Sequence, residues 1–117
     1  MNTTDIGTYA EDIAQEYLER KQFVLITRNY RYHNIGEIDL IMQDRDYIVF
    51  VEVRHRTSTA YGTPEASITP AKIKRLRRTA TLWLTVTNRH GTPVRFDVVA
   101  VDLVGGCPVV RHLIGCI

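Results

Sequence analysis

Two short stretches place acids where aliphatic residues dominate. Gly36-Glu37-Ile38-Asp39-Leu40-Ile41 and Phe50-Val51-Glu52-Val53-Arg54 each read as a strand entering a core, yet each carries charge. Burying one unpaired carboxylate costs several kcal/mol, so something must compensate. A divalent cation is one solution. Mg2+ takes one or two carboxylates and completes its octahedron with water and phosphate oxygen. Held there, Mg2+ or Mn2+ suits phosphodiester hydrolysis. The other solution is a salt-bridged sheet, with Glu37 or Glu52 paired to Arg54 or Arg95. Spacing alone leaves both open.

Side-chain alternation says which charges meet. The polar Gln43-Asp44-Arg45-Asp46 joins the two stretches as a hairpin. A turn centred on Asp44 and Arg45 sets Glu37 opposite Glu52 and Asp39 opposite Phe50. Glu37, Asp39, Glu52 and Arg54 then share one face, with Asp39 and Glu52 as diagonal neighbours. An odd-length turn would break this parity. No zinc pattern competes: His33, His55, His90 and His112 lack paired ligand spacing and read as surface or loop histidines. Cys107 and Cys116 fit neither a disulfide framework nor a C-x-x-C motif, which points to reduced thiols and a cytoplasmic location.

The elements that must position these acids follow from periodicity. Ile6, Ala10, Ile13, Ala14, Tyr17 and Leu18 fall on one face of a helix over about 4–20, with Glu11 off that face. Phe23 to Tyr30 reads as a strand, and Asn34 and Gly36 mark a turn. The hairpin strands cover 37–42 and 47–54. A Thr, Ser, Gly and Pro loop leads to Thr69-Pro70, an N-cap and first-turn proline for a helix over about 70–87. Its apolar face is Ile73, Leu76, Ala80, Trp83 and Leu84, with Lys74, Arg75 and Arg78 opposite. Strands over 94–103 and 109–114 complete the order α-β-β-β-α-β-β, an α/β sheet flanked by helices.

The 117 residues are expected to form a single domain, and no apolar run approaches the roughly 20 residues needed to span a bilayer. Charge is uneven. Residues 1–53 carry ten acids and five bases, whereas residues 54–95 carry nine bases and one acid. A basic segment beside an acidic one suits a phosphate-binding surface next to a carboxylate site, or simply a solvated helix face.

The two acidic blocks, with the later Arg95-Phe96-Asp97, resemble the YraN family of small bacterial proteins. That family is similar to archaeal Holliday-junction resolvases, within the PD-(D/E)XK, or restriction-endonuclease-like, superfamily. The likeness runs from about Gly7 to Val101. It implies an α-β-β-β-α-β core with a mixed central sheet, and a Mg2+- or Mn2+-dependent endonuclease acting on DNA, including branched or flapped structures. Asp39 and Glu52 would hold the metal with the Val53 carbonyl, and Glu11 matches a further acid of resolvase-like members. Glu37 would support the ligands or pair with a base. Lys72, Lys74, Arg75, Arg78 and Arg56 would meet the nucleic acid, with Arg56, Tyr61 and Lys72 lining the groove near the metal. Resolvase-like enzymes usually act as dimers, which allows a homodimer here. Arg54 departs from the superfamily pattern, which has lysine. Arginine stays protonated in proteins, so Arg54 clamps phosphate rather than serving as general base. The alternative is an inactive nucleic-acid-binding module with the same fold. Arg95 and Asp97 are expected to form a structural ion pair.

Overall fold

A computed structural model describes residues 2–117, without the side chains of Thr3 and Thr4. Helix α1 spans Thr3–Arg20, where the Asn2 side chain caps the first turn by accepting from the Asp5 N–H at 2.9 Å. Ala10, Ala14 and Leu18, one turn apart, are fully buried. Strands β1 (Val24–Tyr32), β2 (Gly36–Asp44) and β3 (Tyr47–Arg56) follow. A short 3-10 turn, Pro64–Ser67, interrupts the connecting loop before helix α2 (Pro70–Val86), which Thr69 caps. Strands β4 (Val94–Asp102) and β5 (Val109–Leu113) end the order. It is the expected α-β-β-β-α-β-β, with most boundaries within two residues of the sequence reading.

All five strands form one mixed sheet in the order β1-β2-β3-β4-β5. Only β3 and β4 are parallel, because α2 carries the chain back across the sheet between them. The helices cover opposite faces. Leu40, Met42, Val49, Val51, Val53, Val99 and Val101 pack with α1, while Ile41, Ile48 and Phe50 pack with Leu76, Ala80 and Trp83 of α2.

The hairpin register differs from the expected one. Asp44 faces Tyr47 and Ile41 faces Phe50, so the turn is Arg45-Asp46, one residue later than expected. Arg45 takes a left-handed φ of +57° there. The hydrophobic pattern fixes which face each side chain joins but not which polar pair turns, since no Gly or Asn marks the spot. Parity survives the shift. By residue count, Asp39 moves from a diagonal position to the one facing Glu52.

Alternation also breaks within β2. Leu40 packs under α1, yet Ile38 packs under α2, so the strand rolls at Asp39. On β1, Arg28 and Tyr30 pair with Leu40 and Ile38, and Asn29 between them has φ +53°. Asparagine tolerates this left-handed conformation better than most residues. Both strands therefore kink at the same level, and the kink sits beside the acids.

Candidate metal and nucleic-acid site

The β2–β3 ladder stops at Leu40↔Val51. Beyond that pair the Asp39 carboxylate accepts the Val53 N–H at 2.7 Å. Because a strand residue directs its N–H and C=O to the same side, the Val53 carbonyl also faces the gap that opens between β2 and β3. Asp39 lies beside Glu52, whose side chain is 16% exposed. Burial first, and the neighbouring Glu52 second, push Asp39 up to about 8, although the Val53 N–H partly opposes them. Two carboxylates so placed repel each other, and a bound cation relieves that repulsion.

Arg54 follows on the same face. Its Nε donates to Ser67 Oγ at 2.9 Å, and Ser67 Oγ donates to the Pro64 carbonyl at 2.7 Å. The 3-10 turn thus holds the guanidinium 3.9 Å from Glu52, too long for a tight pair. Gly36, Glu37, Asp39, Glu52 and Arg54 line one cleft, closed on the far side by Lys72, Arg75 and Leu76 of α2. Gly36 makes this closure possible. A Cβ there would lie 2.5 Å from Thr79 Oγ1 and 3.3 Å from the Arg75 carbonyl. Backbone and helix touch, and Arg75 is brought over the acids.

Glu11 approaches from the α1 side. It is half-buried and 3.4 Å from Arg28 Nη2, with the Asn29 side chain nearby. Burial and the Asp39 charge raise its pKa, with Asn29 and Arg28 opposing. Glu11 is therefore not a solvent-facing helix acid. It lines the adjoining cleft with Gly7, Val53, Arg54 and His55.

The other expected residues divide. Glu37 lines the acid cleft but pairs with Arg31 at 3.2 Å. Of the helix bases, Lys72 and Arg75 face the acids, whereas Lys74 and Arg78 are exposed on another side of α2. Arg56 is engaged elsewhere, with Asp102 at 2.8 Å and the Gly62 carbonyl at 2.9 Å. Among the described residues, no group of three or more His, Cys, Asp or Glu side chains is arranged to hold a metal ion. The donor set is two carboxylates and the Val53 carbonyl. That set fits a hexacoordinate oxygen-seeking ion, which draws its remaining ligands from water and phosphate.

Arg95 and Asp97 form the expected structural pair, with Arg95 Nε 2.9 Å from Asp97 Oδ1. Asp97 is fully buried and also meets His112 Nε2 at 2.7 Å and the Gly115 N–H at 2.9 Å. Burial raises its pKa, but these partners outweigh that and hold it below the ordinary range. His112 corrects the surface assignment. Its side chain is 1% exposed, edge-on to Phe23 and Tyr17. Lys21 Nζ donates to its Nδ1 at 3.0 Å, so Nε2 donates to Asp97.

Three supports of the site escaped the sequence reading: Ser67 under Arg54, Asn29 at the kink, and Arg28 holding Glu11. Only Asn29, an asparagine inside a strand, carried a local signal.

A family model described as "Uncharacterised protein family UPF0102" matches residues 10–101. A UPF0102 protein of Yersinia enterocolitica is 48% identical over 103 residues, covering 86% of this chain and 87% of its own. Relatives from Syntrophomonas wolfei and Rhodococcus opacus are 38% and 41% identical, with at least 92% of each chain covered. The match covers both acidic blocks and bears out the resemblance to YraN proteins.

Proposed function

We propose that this chain, which belongs to the uncharacterised protein family UPF0102, is a metal-dependent nuclease that hydrolyses phosphodiester bonds in DNA, including branched or flapped structures. The observation that carries this reading is the Asp39–Glu52 pair. Two largely buried carboxyl groups lie side by side with only the loosely placed Arg54, 3.9 Å from Glu52, as a base on the sheet, at the floor of a cleft whose opposite wall is basic. A purely structural cluster would be expected to hold its counter-ion in a tight pair, and at 3.9 Å Arg54 does not form one.

Asp39, Glu52 and the Val53 carbonyl would hold Mg2+ or Mn2+. Such an ion, when bound, supplies positive charge to a phosphate and acidifies water. The chain does the rest. The Val53 N–H fixes the Asp39 carboxylate, so its oxygens do not reorganise when substrate arrives. Arg54, anchored by Ser67, offers its Nη groups to a non-bridging phosphate oxygen and stabilises charge developing there. It cannot accept a proton, so the proton removed from water must leave by another acceptor. Glu11, half-buried and near enough to Asp39 that the Asp39 charge raises its pKa, would be that acceptor. Lys72 and Arg75 hold the neighbouring phosphates without reading sequence. Lys74 and Arg78 extend the basic surface along α2. The same reading places the protein in the cytoplasm, in keeping with two free thiols. Among the described residues no helix is long and apolar enough to cross a membrane.

Arg54 favours a second reading, a binding module that keeps the basic cleft without turnover. End-labelled single strand, duplex, flap, four-way junction and RNA, incubated with Mg2+ or Mn2+, separate the two. Cleavage that disappears with EDTA and in Glu52→Ala supports the nuclease. Salt-sensitive binding with no cleavage of any substrate supports the module.

A further inference from the structure

The acid cleft does not stand alone. It shares Gly36, Glu37 and Arg75 with a neighbouring depression lined by Arg31 and His33. On its other side Arg54 joins it to the Glu11 cleft, and His55 joins that in turn to a 270 Å3 cleft beneath the loop after β3. Four depressions that share lining residues thus follow one another, from the β1–β2 turn past Asp39 and Glu52 to Tyr61.

Tyr61 is the feature at that far end. It is 94% exposed, the most exposed large hydrophobic side chain among the described residues. A single exposed aromatic is unremarkable on most surfaces, but this one is presented by a pinned loop. Arg56, itself locked to Asp102, donates to the Gly62 carbonyl next to Tyr61 at 2.9 Å. Gly62 has φ +85°, a turn that a side chain would disfavour. Three charged or polar walls (Arg54, His55, Arg56) separate this ring from the acids. A groove that tracks a charged backbone and ends on a bare aromatic ring has the layout of a single-strand site, where a base stacks on the ring.

From the nuclease reading above, on which this step rests, we infer that Tyr61 is a stacking platform for an unpaired base, and that the preferred substrate carries a single-stranded segment beside the cut. A duplex keeps its bases stacked inside and offers Tyr61 only backbone. Recognition on this side is therefore of strandedness, not of sequence.

The test is anisotropy with a fluorescein-labelled single-stranded oligonucleotide and a blunt duplex, in EDTA so that nothing is cut. Full-length wild type, Tyr61→Ala, Tyr61→Phe and Arg75→Ala are compared. Tyr61→Ala is expected to weaken single-strand binding about tenfold or more, with duplex binding unchanged and Tyr61→Phe close to wild type. Arg75→Ala should weaken both ligands and flatten their salt dependence. If Tyr61→Ala binds the single strand as wild type does while Arg75→Ala is impaired, the stacking role is wrong and the nucleic-acid reading stands. If wild type binds neither ligand, both fall together.

Discussion

Asp39 and Asp97 act on stability in opposite directions. In the unfolded chain Asp39 ionises near 3.8, but in the fold only at about 8. Between those values the folded state holds more protons, so this residue lowers stability as pH rises across the window. Asp97 is held below the ordinary range, so its stabilisation is present above that range and disappears as pH falls through its folded value. Asp39→Asn removes the charge and keeps an oxygen for the Val53 N–H. It is expected to stabilise the metal-free protein at pH 8 by about 1–2 kcal/mol, a rise of several degrees in the thermal midpoint, and to do little at pH 4. Thermal melts at the two pH values check this, and a lower midpoint at pH 8 would refute the strained pair. Arg54 gives a kinetic counterpart. Arg54→Ala is expected to lower cleavage about a hundredfold, with Arg54→Lys between it and wild type. A lysine variant faster than wild type would mean that position 54 needs a group able to release its proton.

At the scale of elements, the site depends on how closely α2 approaches the start of β2. Gly36→Ala forces its methyl onto Thr79 Oγ1, which is buried and already donates to the Arg75 carbonyl. Such overpacking costs roughly 1–3 kcal/mol. It should lower the melting temperature and nucleic-acid affinity together, since Arg75 rides on the same turn. Adding Thr79→Ala should restore most of both, and failure to do so would locate the strain elsewhere. This contact also marks the limit of what the residues reveal in order. The two helices, the five strands and the shared face of Asp39, Glu52 and Arg54 were legible because period and parity are local properties, whereas the roll of β2 at Asp39 takes Glu37 out of that alternation. The hairpin turn was not, because Asp44-Arg45 and Arg45-Asp46 are equally polar. Nor was the kink at Asn29 and Asp39, which exists only once the strands pair, or the burial of His112, which depends on the distant Phe23 and Asp97. Glu11 looked like surface until Arg28 and Asn29 came to meet it.

Across the whole molecule, the acids lie partway along the groove and not at its end. Arg31 and His33 line the depression at one end of this series, and Tyr61 the one at the other. A polymer lying in such a channel enters and leaves, so its ends play no part in being held. The consequence is topological. A covalently closed single-stranded circle should be opened at the same initial rate as a linear strand of identical sequence, measured by conversion to linear product on a denaturing gel. A strict requirement for a free terminus would mean that one mouth closes over the strand.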